Sequence, residues 1–325
     1  MKWLVTGGCG FIGTALIKAL LRQGVEDIRV LDNLSVGTKT DLGKVASFRE
    51  IDKCYSPPRG VELLVADIRD EFAAIQASQG CDIIVHLAAN TGVGPSVDDP
   101  RSDCLSNVIG TFNFLDAARR LGIKRFVFAS SGAPAGEVEP PIHEEIPPHP
   151  ASPYGASKLA GEAYCSAFAK CYGIDAVALR FGNVYGPGSA HKGSVVAKFI
   201  KRAQQGLPLE IFGDGGQTRD FIFIEDLVSA ILLAASVSGI GGEVFQIATS
   251  RETTVSELVD KLRVAMKGAG ISEVEVRNSD VRVGDVRRNF ADTRKAKRVL
   301  GWQARTDLDI GLRKTVAYFI SEGEN

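Results

Sequence analysis

The stretch Gly7-Gly8-Cys9-Gly10-Phe11-Ile12-Gly13 decides how this chain is read. It follows a short apolar run, Lys2 to Thr6, too short for a helix. It opens a segment, Ile12 to Gln23, in which Leu16, Ile17, Leu20 and Leu21 recur at helical spacing before Gly24. Strand, glycine turn and helix in that order make a phosphate cradle. Gly7 permits the turn, Gly10 lets backbone approach a pyrophosphate, and Gly13 lets the helix pack on the strand. The anion then lies at the positive end of the helix dipole. Ile28 to Leu31 reads as a second strand ending at Asp32, 19 residues beyond Gly13. A carboxylate there accepts ribose hydroxyls and repels a 2′-phosphate. The expected cofactor is therefore NAD, held by Gly7, Gly10, Phe11, Ile12, Gly13, Asp32 and Asn33.

Further strands read at Glu62 to Ala66, Asp82 to Leu87, Arg125 to Ala129 and Ile174 to Leu179. Asn107 to Leu121 reads as an amphipathic helix. Pro153 to Tyr172 reads as another, opened by proline and closed at Gly173. Strands alternating with helices predict an α/β fold, a Rossmann doubly wound parallel sheet with right-handed crossovers. The continuous apolar runs Ile83-Ile84-Val85 and Phe126-Val127-Phe128 suit strands covered on both faces. After Arg180, glycine-rich loops and shorter elements predict a smaller α/β lobe.

Composition excludes several classes. A net charge of -1 over 325 residues gives no field for nucleic acid or anionic lipid. No apolar run reaches the ~18 residues of a membrane span. A strand beginning at Lys2 leaves no room before it for a leader, so a cytoplasmic protein is expected. The six cysteines include no CxxC pair, and the four histidines lack HxxxH spacing, so neither disulfides nor a metal site is expected. Cys9, inside the glycine loop, reads as packing.

Tyr154 and Lys158, in Tyr154-Gly155-Ala156-Ser157-Lys158, fall on one helix face one turn apart. Tyrosine is a poor base at its ordinary pKa of ~10. A nearby ammonium favours the phenolate, more strongly in a desolvated cleft. With the glycine loop, this pair gives a dinucleotide a redox partner.

These residues belong to a wider set. It comprises Thr6 to Gly13, Asp67-Ile68, His86-Leu87-Ala88-Ala89, Asn107, Ser130-Ser131, Tyr154 to Lys158 and Arg180 to Pro187. Arg219-Asp220-Phe221, Ile224-Glu225-Asp226 and Arg282-Val283-Gly284-Asp285 complete it. The set resembles the extended short-chain dehydrogenase/reductase family, in its nucleotide-sugar epimerase, dehydratase and decarboxylase group, with UDP-hexose 4-epimerases nearest. The resemblance implies an NAD-binding Rossmann domain at 1-180, with a returning segment near 218-247, and a nucleotide-sugar-binding lobe at 181-325. It implies Ser131, Tyr154 and Lys158 as catalytic residues, Tyr154 as the base and Ser131 as the proton relay. It places Asp67, Ile68, Leu87, Ala88, Ala89, Asn107, Tyr154, Lys158 and Phe181 at the cofactor. It places Ser131, Asn183, Val195, Lys198, Arg219, Arg282, Asp285 and Asn289 at the substrate, with UDP-sugars favoured. Two arginines and a lysine suit a pyrophosphate. Relatives pair through the helices equivalent to Asn107–Leu121 and Tyr154–Tyr172, so a homodimer is expected.

The expected reaction inverts C4 of a UDP-hexose or UDP-N-acetylhexosamine through a transient 4-keto sugar. Dehydratases and decarboxylases of the group carry acids one or two residues after the catalytic Ser/Thr. Here those places are Gly132 and Ala133, which transfer no proton. Pro134-Ala135-Gly136 stands where Val-Tyr-Gly is usual, a departure that bears on the sugar pocket. Asn289, where a tyrosine narrows the site near C2 in some relatives, leaves room for an N-acetyl group. A nucleotide-sugar 4-ketoreductase or dehydratase of the same family, and a catalytically silent dinucleotide-binding protein, are the alternatives.

Overall fold

The computed structural model describes residues 1–54, 56–191, 193–271, 274–280 and 286–323. The chain divides into two compact units. The first comprises Met1–Glu137, Glu144–Phe181 and Val228–Phe245; the second comprises Val138–His143, Gly182–Leu227 and Gln246–Asn325.

The large sheet uses β1 (Trp3–Thr6), β2 (Ile28–Asp32), β3 (Arg49–Ile51), β4 (Val61–Val65), β5 (Ile83–His86), β6 (Arg125–Ser131) and β7 (Asp175–Phe181). Later strands are β8 (Asn183–Tyr185), β9 (Leu209–Phe212), β10 (Thr218–Arg219), β11 (Phe221–Phe223), β12 (Val244–Ile247), β13 (Thr253–Thr254) and β14 (Val276–Ser279). The eight-stranded sheet has the order β12-β7-β6-β5-β1-β2-β4-β3. From β1 the sheet runs through β2 and β4 to β3 at the edge, and β5 onward lies on the other side of β1, placing the topological switch beside β1. Ligands of such sheets bind there, outside the carboxyl ends of the strands. Parallel register brings Thr6 level with both Leu31 and His86, and Ser131 level with Phe181.

The helices around this sheet are α1 (Phe11–Arg22), α2 (Lys39–Gly43), α3 (Glu71–Ser78), α4 (Val93–Asp98), α5 (Pro100–Cys104), α6 (Gly110–Leu121) and α7 (Pro153–Tyr172). Leu4, Leu31, Ile84, Phe114, Phe126 and Phe128 form the centre of the core and are fully buried. The apolar runs read in the sequence are buried as expected of strands covered on both faces.

Several elements differ from the sequence reading. The helix expected to begin at Asn107 begins at Pro100, with the Asp99 carboxylate accepting the Ser102 N–H at 2.9 Å. A π-helical turn, Leu105–Ile109, joins α5 to α6. Its extra residue shifts the 3.6-residue repeat, so the apolar stripe of α6 does not continue back into α5. β3 carries no strand signal in its sequence, because Arg49-Glu50-Ile51 is a mostly exposed edge with one apolar residue. β12 lies within the segment near 218-247 expected to return to the Rossmann sheet.

In the second unit β8 pairs with β11 and β9 with β14, both parallel, and β10 pairs antiparallel with β13. Helix α8 (Val195–Gln204) buries Val196, Phe199 and Ile200. Trp302 is buried, and its indole N–H donates to the Asp226 carbonyl at 3.0 Å. Asp220 lies inside, accepting N–H groups from Thr249, Ser250 and Ala291 and the Thr249 hydroxyl. The aspartate of the Arg219-Asp220-Phe221 motif is thus a pin between loops.

Truncating Phe126, which has no exposed surface, should cost ~3–5 kcal/mol in guanidinium unfolding followed by tryptophan fluorescence. Phe72→Ala, at a ring 67% exposed, should stay within ~0.5 kcal/mol of wild type.

Candidate active site

The glycine loop is shaped by contact. Gly7 has φ +68°, and a Cβ there would lie 2.8 Å from the Ala88 nitrogen. A Cβ on Gly13 would lie 2.3 Å from the Gly7 carbonyl oxygen. Both positions exclude any side chain. Gly10 caps α1 without a side-chain hydrogen bond, so the first-turn N–H groups remain open to an anion. Cys9 is buried and its thiol is pushed up to about 12, first by burial and then by Asp32. It stays a thiol and packs, as read.

Asp32 ends β2 and is 7% exposed. Its two carboxylate oxygens accept the Cys9 and Leu34 N–H groups, each at 2.9 Å. Burial raises its pKa, and those two donors oppose the rise. The same carboxylate therefore latches the glycine loop and terminates the strand. An uncapped helix start, a side-chain-free turn and this acid fit a dinucleotide.

The other residues expected near the cofactor gather in the first unit. Leu87 N–H donates to the Thr6 carbonyl and Ala88 N–H to the Thr6 hydroxyl. Ile68 is buried, and its carbonyl accepts the Asn113 amide at 3.0 Å. Asp67 is committed to the Arg69 guanidinium, which holds its carboxyl down at about 2, and accepts the Asn33 amide at 3.3 Å. Asn107, on the π-turn, clamps Asn90 through both its N–H (2.8 Å) and its carbonyl (2.9 Å). Its amide also reaches Asp103 Oδ1 and Ser157 Oγ. Phe181 is half-buried at the end of β7.

Tyr154 and Lys158 stand on the first turns of α7. Ser152 caps that helix through the Gly155 N–H, and Pro153 fills its first position. The Tyr154 N–H donates to Ser96 Oγ of α4 at 3.1 Å, a partner the sequence did not suggest. Tyr154 is partly exposed, yet the surrounding protein pushes its phenol up to about 12; the Ser131 hydroxyl works the other way. Lys158 is 3% exposed. Its Nζ donates to the Ala129 carbonyl at 2.9 Å and lies 4.9 Å from the Phe128 ring centre. Burial pulls the ammonium down to about 8, against Asp103 and Glu162. His86 is fully enclosed among Phe114, Phe126 and Phe128, with Nδ1 2.9 Å from the Thr6 hydroxyl. Burial, then Lys158, holds it down at about 3, so the ring is neutral.

Ser131 ends β6, and its Oγ accepts the Ala133 N–H at 3.2 Å. A Cβ on Gly132 would meet nothing within 4 Å. Room for an acid exists there, and no acid occupies it. Ala133-Pro134-Ala135 forms a short 3-10 turn in which Pro134 and Ala135 are buried.

Of the residues expected at the substrate, Arg282 and Asp285 lie outside the described residues. In the second unit, Arg219 donates to the Thr218 and Val286 carbonyls, and the Asn289 N–H donates to Thr218 Oγ1. β10 thus brings Arg219 and Asn289 together. Lys198 lies 5.4 Å from the Phe212 ring centre, Val195 opens α8, and Asn183 is exposed at the start of β8.

Fold and site together define a dinucleotide-binding α/β protein with a Ser/Tyr/Lys group at the carboxyl end of its sheet. Residues 3–248 match the model of the NAD dependent epimerase/dehydratase family, and the chain belongs to that family. It is 38% identical to a UDP-glucose 4-epimerase of Mycolicibacterium smegmatis, covering all of both chains. Among solved structures it resembles the UDP-glucose 4-epimerase of Thermotoga maritima with UDP-glucose, at 36% identity and TM-score 0.88, covering 99% of each chain. The Thermus thermophilus UDP-glucose 4-epimerase complex with NAD is 34% identical, at TM-score 0.84, with 98% of this chain and 99% of that one covered.

Buried Lys158 releases its proton near pH 8 in the folded protein and near 10.5 when unfolded. Between those values the unfolded chain binds more protons, so stability rises with pH. Measured against Lys158→Met by urea unfolding, wild type should gain about 3 kcal/mol from pH 8 to pH 10.5.

Proposed function

We propose that Ser131, Tyr154 and Lys158 carry the proton chemistry of this chain, an NAD-dependent UDP-sugar 4-epimerase. The observation that carries the proposal is Tyr154 and Lys158 one turn apart on α7, Lys158 buried and the Tyr154 phenol meeting Ser131, with Gly132 and Ala133 beside Ser131 unable to transfer protons. The first unit holds NAD through the Gly7–Gly13 loop, Asp32 and the Leu87–Ala89 turn. The second holds the nucleotide sugar, Arg219 serving its diphosphate. NAD, when bound, supplies the acceptor and donor of the C4 hydride, so the sugar passes through a 4-keto form without net oxidation.

The protein's part is proton transfer and placement. Ser131 accepts the sugar 4-OH hydrogen bond and passes the proton to the Tyr154 phenolate oxygen. Lys158, fixed on the Ala129 carbonyl, presents a positive charge that favours the phenolate. Tyr154 returns the proton to the same oxygen after hydride arrives at the opposite face of C4. No acid stands at Gly132 to remove water from the keto sugar, so it is re-reduced. Asn289 leaves room at C2, which admits UDP-hexoses and N-acetylated ones.

Phe112, Tyr164, Phe168 and Tyr172 stack edge to face along α6 and α7, with ring centres 5.0–6.3 Å apart. Phe112, Tyr164 and Tyr172 remain 36%, 38% and 47% exposed, as do Leu105 and Ile109 at 38% and 42%. An apolar face of this kind is covered in solution, and we assign it to a homodimer. Among the described residues no helix is long and apolar enough to cross a membrane. With all its cysteines free, the chain suits a reducing cytoplasm.

Incubation with UDP-glucose should give the 4-epimer by NMR, without net change in NADH absorbance. Tyr154→Phe should lower kcat by about 10²–10⁴; unchanged turnover would remove Tyr154 from the mechanism. Phe112→Lys with Tyr164→Lys should convert the protein from dimer to monomer in sedimentation at micromolar concentration.

A further inference from the structure

Lys158 and Asp103 are buried charges whose hydrogen-bond partners are neutral. Lys158 Nζ donates to a backbone carbonyl, that of Ala129. Asp103, on α5, is 1% exposed; its Oδ1 accepts the Asn107 amide at 2.8 Å, and its Oδ2 is buried without a hydrogen-bond partner. The same Asn107 amide lies 3.2 Å from Ser157 Oγ, the residue before Lys158, so α5 and α7 are tied beside the catalytic pair. An ionised carboxylate held in such a place by one neutral amide is costly unless a cation faces it.

The other charges near Lys158 are already matched. Glu162, one turn further along α7, is gripped by Arg180 of β7 through two hydrogen bonds (2.8 and 2.7 Å) and by Ser130 of β6. Its charge is spent on the guanidinium. His86 of β5 is neutral, and Ser131 and Tyr154 are neutral when protonated. Of the two carboxylates that act on Lys158, Asp103 and Glu162, Asp103 alone has no cation among its hydrogen-bond partners. It acts on both members of the pair, favouring the charged form of Lys158 and opposing ionisation of Tyr154.

Resting on the reading of Tyr154 and Lys158 above, we propose that Asp103 is a positioning residue of this reaction. Its buried carboxylate is the counter-charge that keeps Lys158 an ammonium ion, and so it sets the pH range over which the pair works. Asp103 does not touch the reacting atoms. It acts through its charge and through the Asn107 amide, which ties it to Ser157 on the first turns of α7.

The test is the pH dependence of kcat for the NAD-loaded enzyme with UDP-glucose. Without Asp103, Lys158 loses its proton at lower pH and Tyr154 ionises at lower pH, so both limbs of the profile move the same way. Asp103→Asn keeps the shape and the Asn107 contact. It should displace the profile toward acid by about one unit, while NAD binding and the melting temperature stay near those of wild type. Should that protein be insoluble, Asp103→Ser, which leaves a hydroxyl and room for water, should give the same displacement. Asp103→Glu should restore the wild-type profile. A uniform fall in kcat with limbs unmoved, or an unchanged enzyme, overturns the proposal and leaves Asp103 a packing residue. If wild type epimerises no UDP-sugar, the assigned reaction fails instead. Asp103 is then judged by NMR titration of the Lys158 ε-carbon, identified by its loss in Lys158→Gln. An acid shift in Asp103→Asn sustains the proposal, and no shift refutes it.

Discussion

A side chain at the carboxyl end of a parallel strand is placed by every strand hydrogen-bonded beside it. Thr6, Asp32, His86 and Ser131 are all placed in this way. The register that sets Thr6 level with His86 lets their side chains meet at 2.9 Å and lets the Thr6 hydroxyl hold the Ala88 amide. Ala88 then presses on Gly7, where no Cβ fits. The glycine turn, the Leu87–Ala88 turn and the neutral histidine beneath them are one packed assembly. A slip of one residue in β1 would turn each of these groups to the other face.

The second constraint is electrostatic and runs along one face of α7. Tyr154, Lys158 and Glu162 follow at four-residue intervals, and each meets a different environment. Glu162 is neutralised by Arg180, the cheapest way to keep a carboxylate indoors. Lys158 is left with a carbonyl and an aromatic face, so its charge stays available to its neighbours. Tyr154 is held as a phenol until something favours its anion. A contact ion pair at Lys158 would have stabilised the ammonium more, but would have turned its field away from Tyr154.

What the sequence made legible was local. The glycine loop and Asp32 lie within 26 residues of one another, and a close approach that excludes Cβ leaves a mark at each position. Tyr154 and Lys158 were legible because one helical turn fixes their spacing. Distant contacts left no such mark. Ser96 reaches the Tyr154 amide across 58 residues, and Thr6 meets His86 across 80. Asp103 was hidden because the π-turn breaks the helical repeat between it and α6. β3 was hidden because an edge strand needs no apolar alternation. In the second unit, Arg219 and Asn289 were legible by resemblance, while the β10 contacts that join them were not.

The outcome of the reaction follows from which proton carriers surround the keto sugar. In the proposed reaction Tyr154 and Ser131 serve one oxygen, that on C4, and a proton shuttled there and back leaves the sugar's formula unchanged. Losing water or carbon dioxide requires a second carrier reaching a different atom. Beside Ser131 the backbone has space for one at Gly132, yet glycine occupies it and Ala133 follows. The chain then closes into a buried 3-10 turn at Pro134 and Ala135, ended by Gly136 at φ +72°. A Cβ on Gly136 would overlap the His149 carbonyl, so the turn is locked in place and cannot swing another side chain toward the sugar. Among the described residues beside Ser131 no second proton carrier stands, which agrees with a 4-epimerase, whose keto sugar is reduced again rather than dehydrated or decarboxylated.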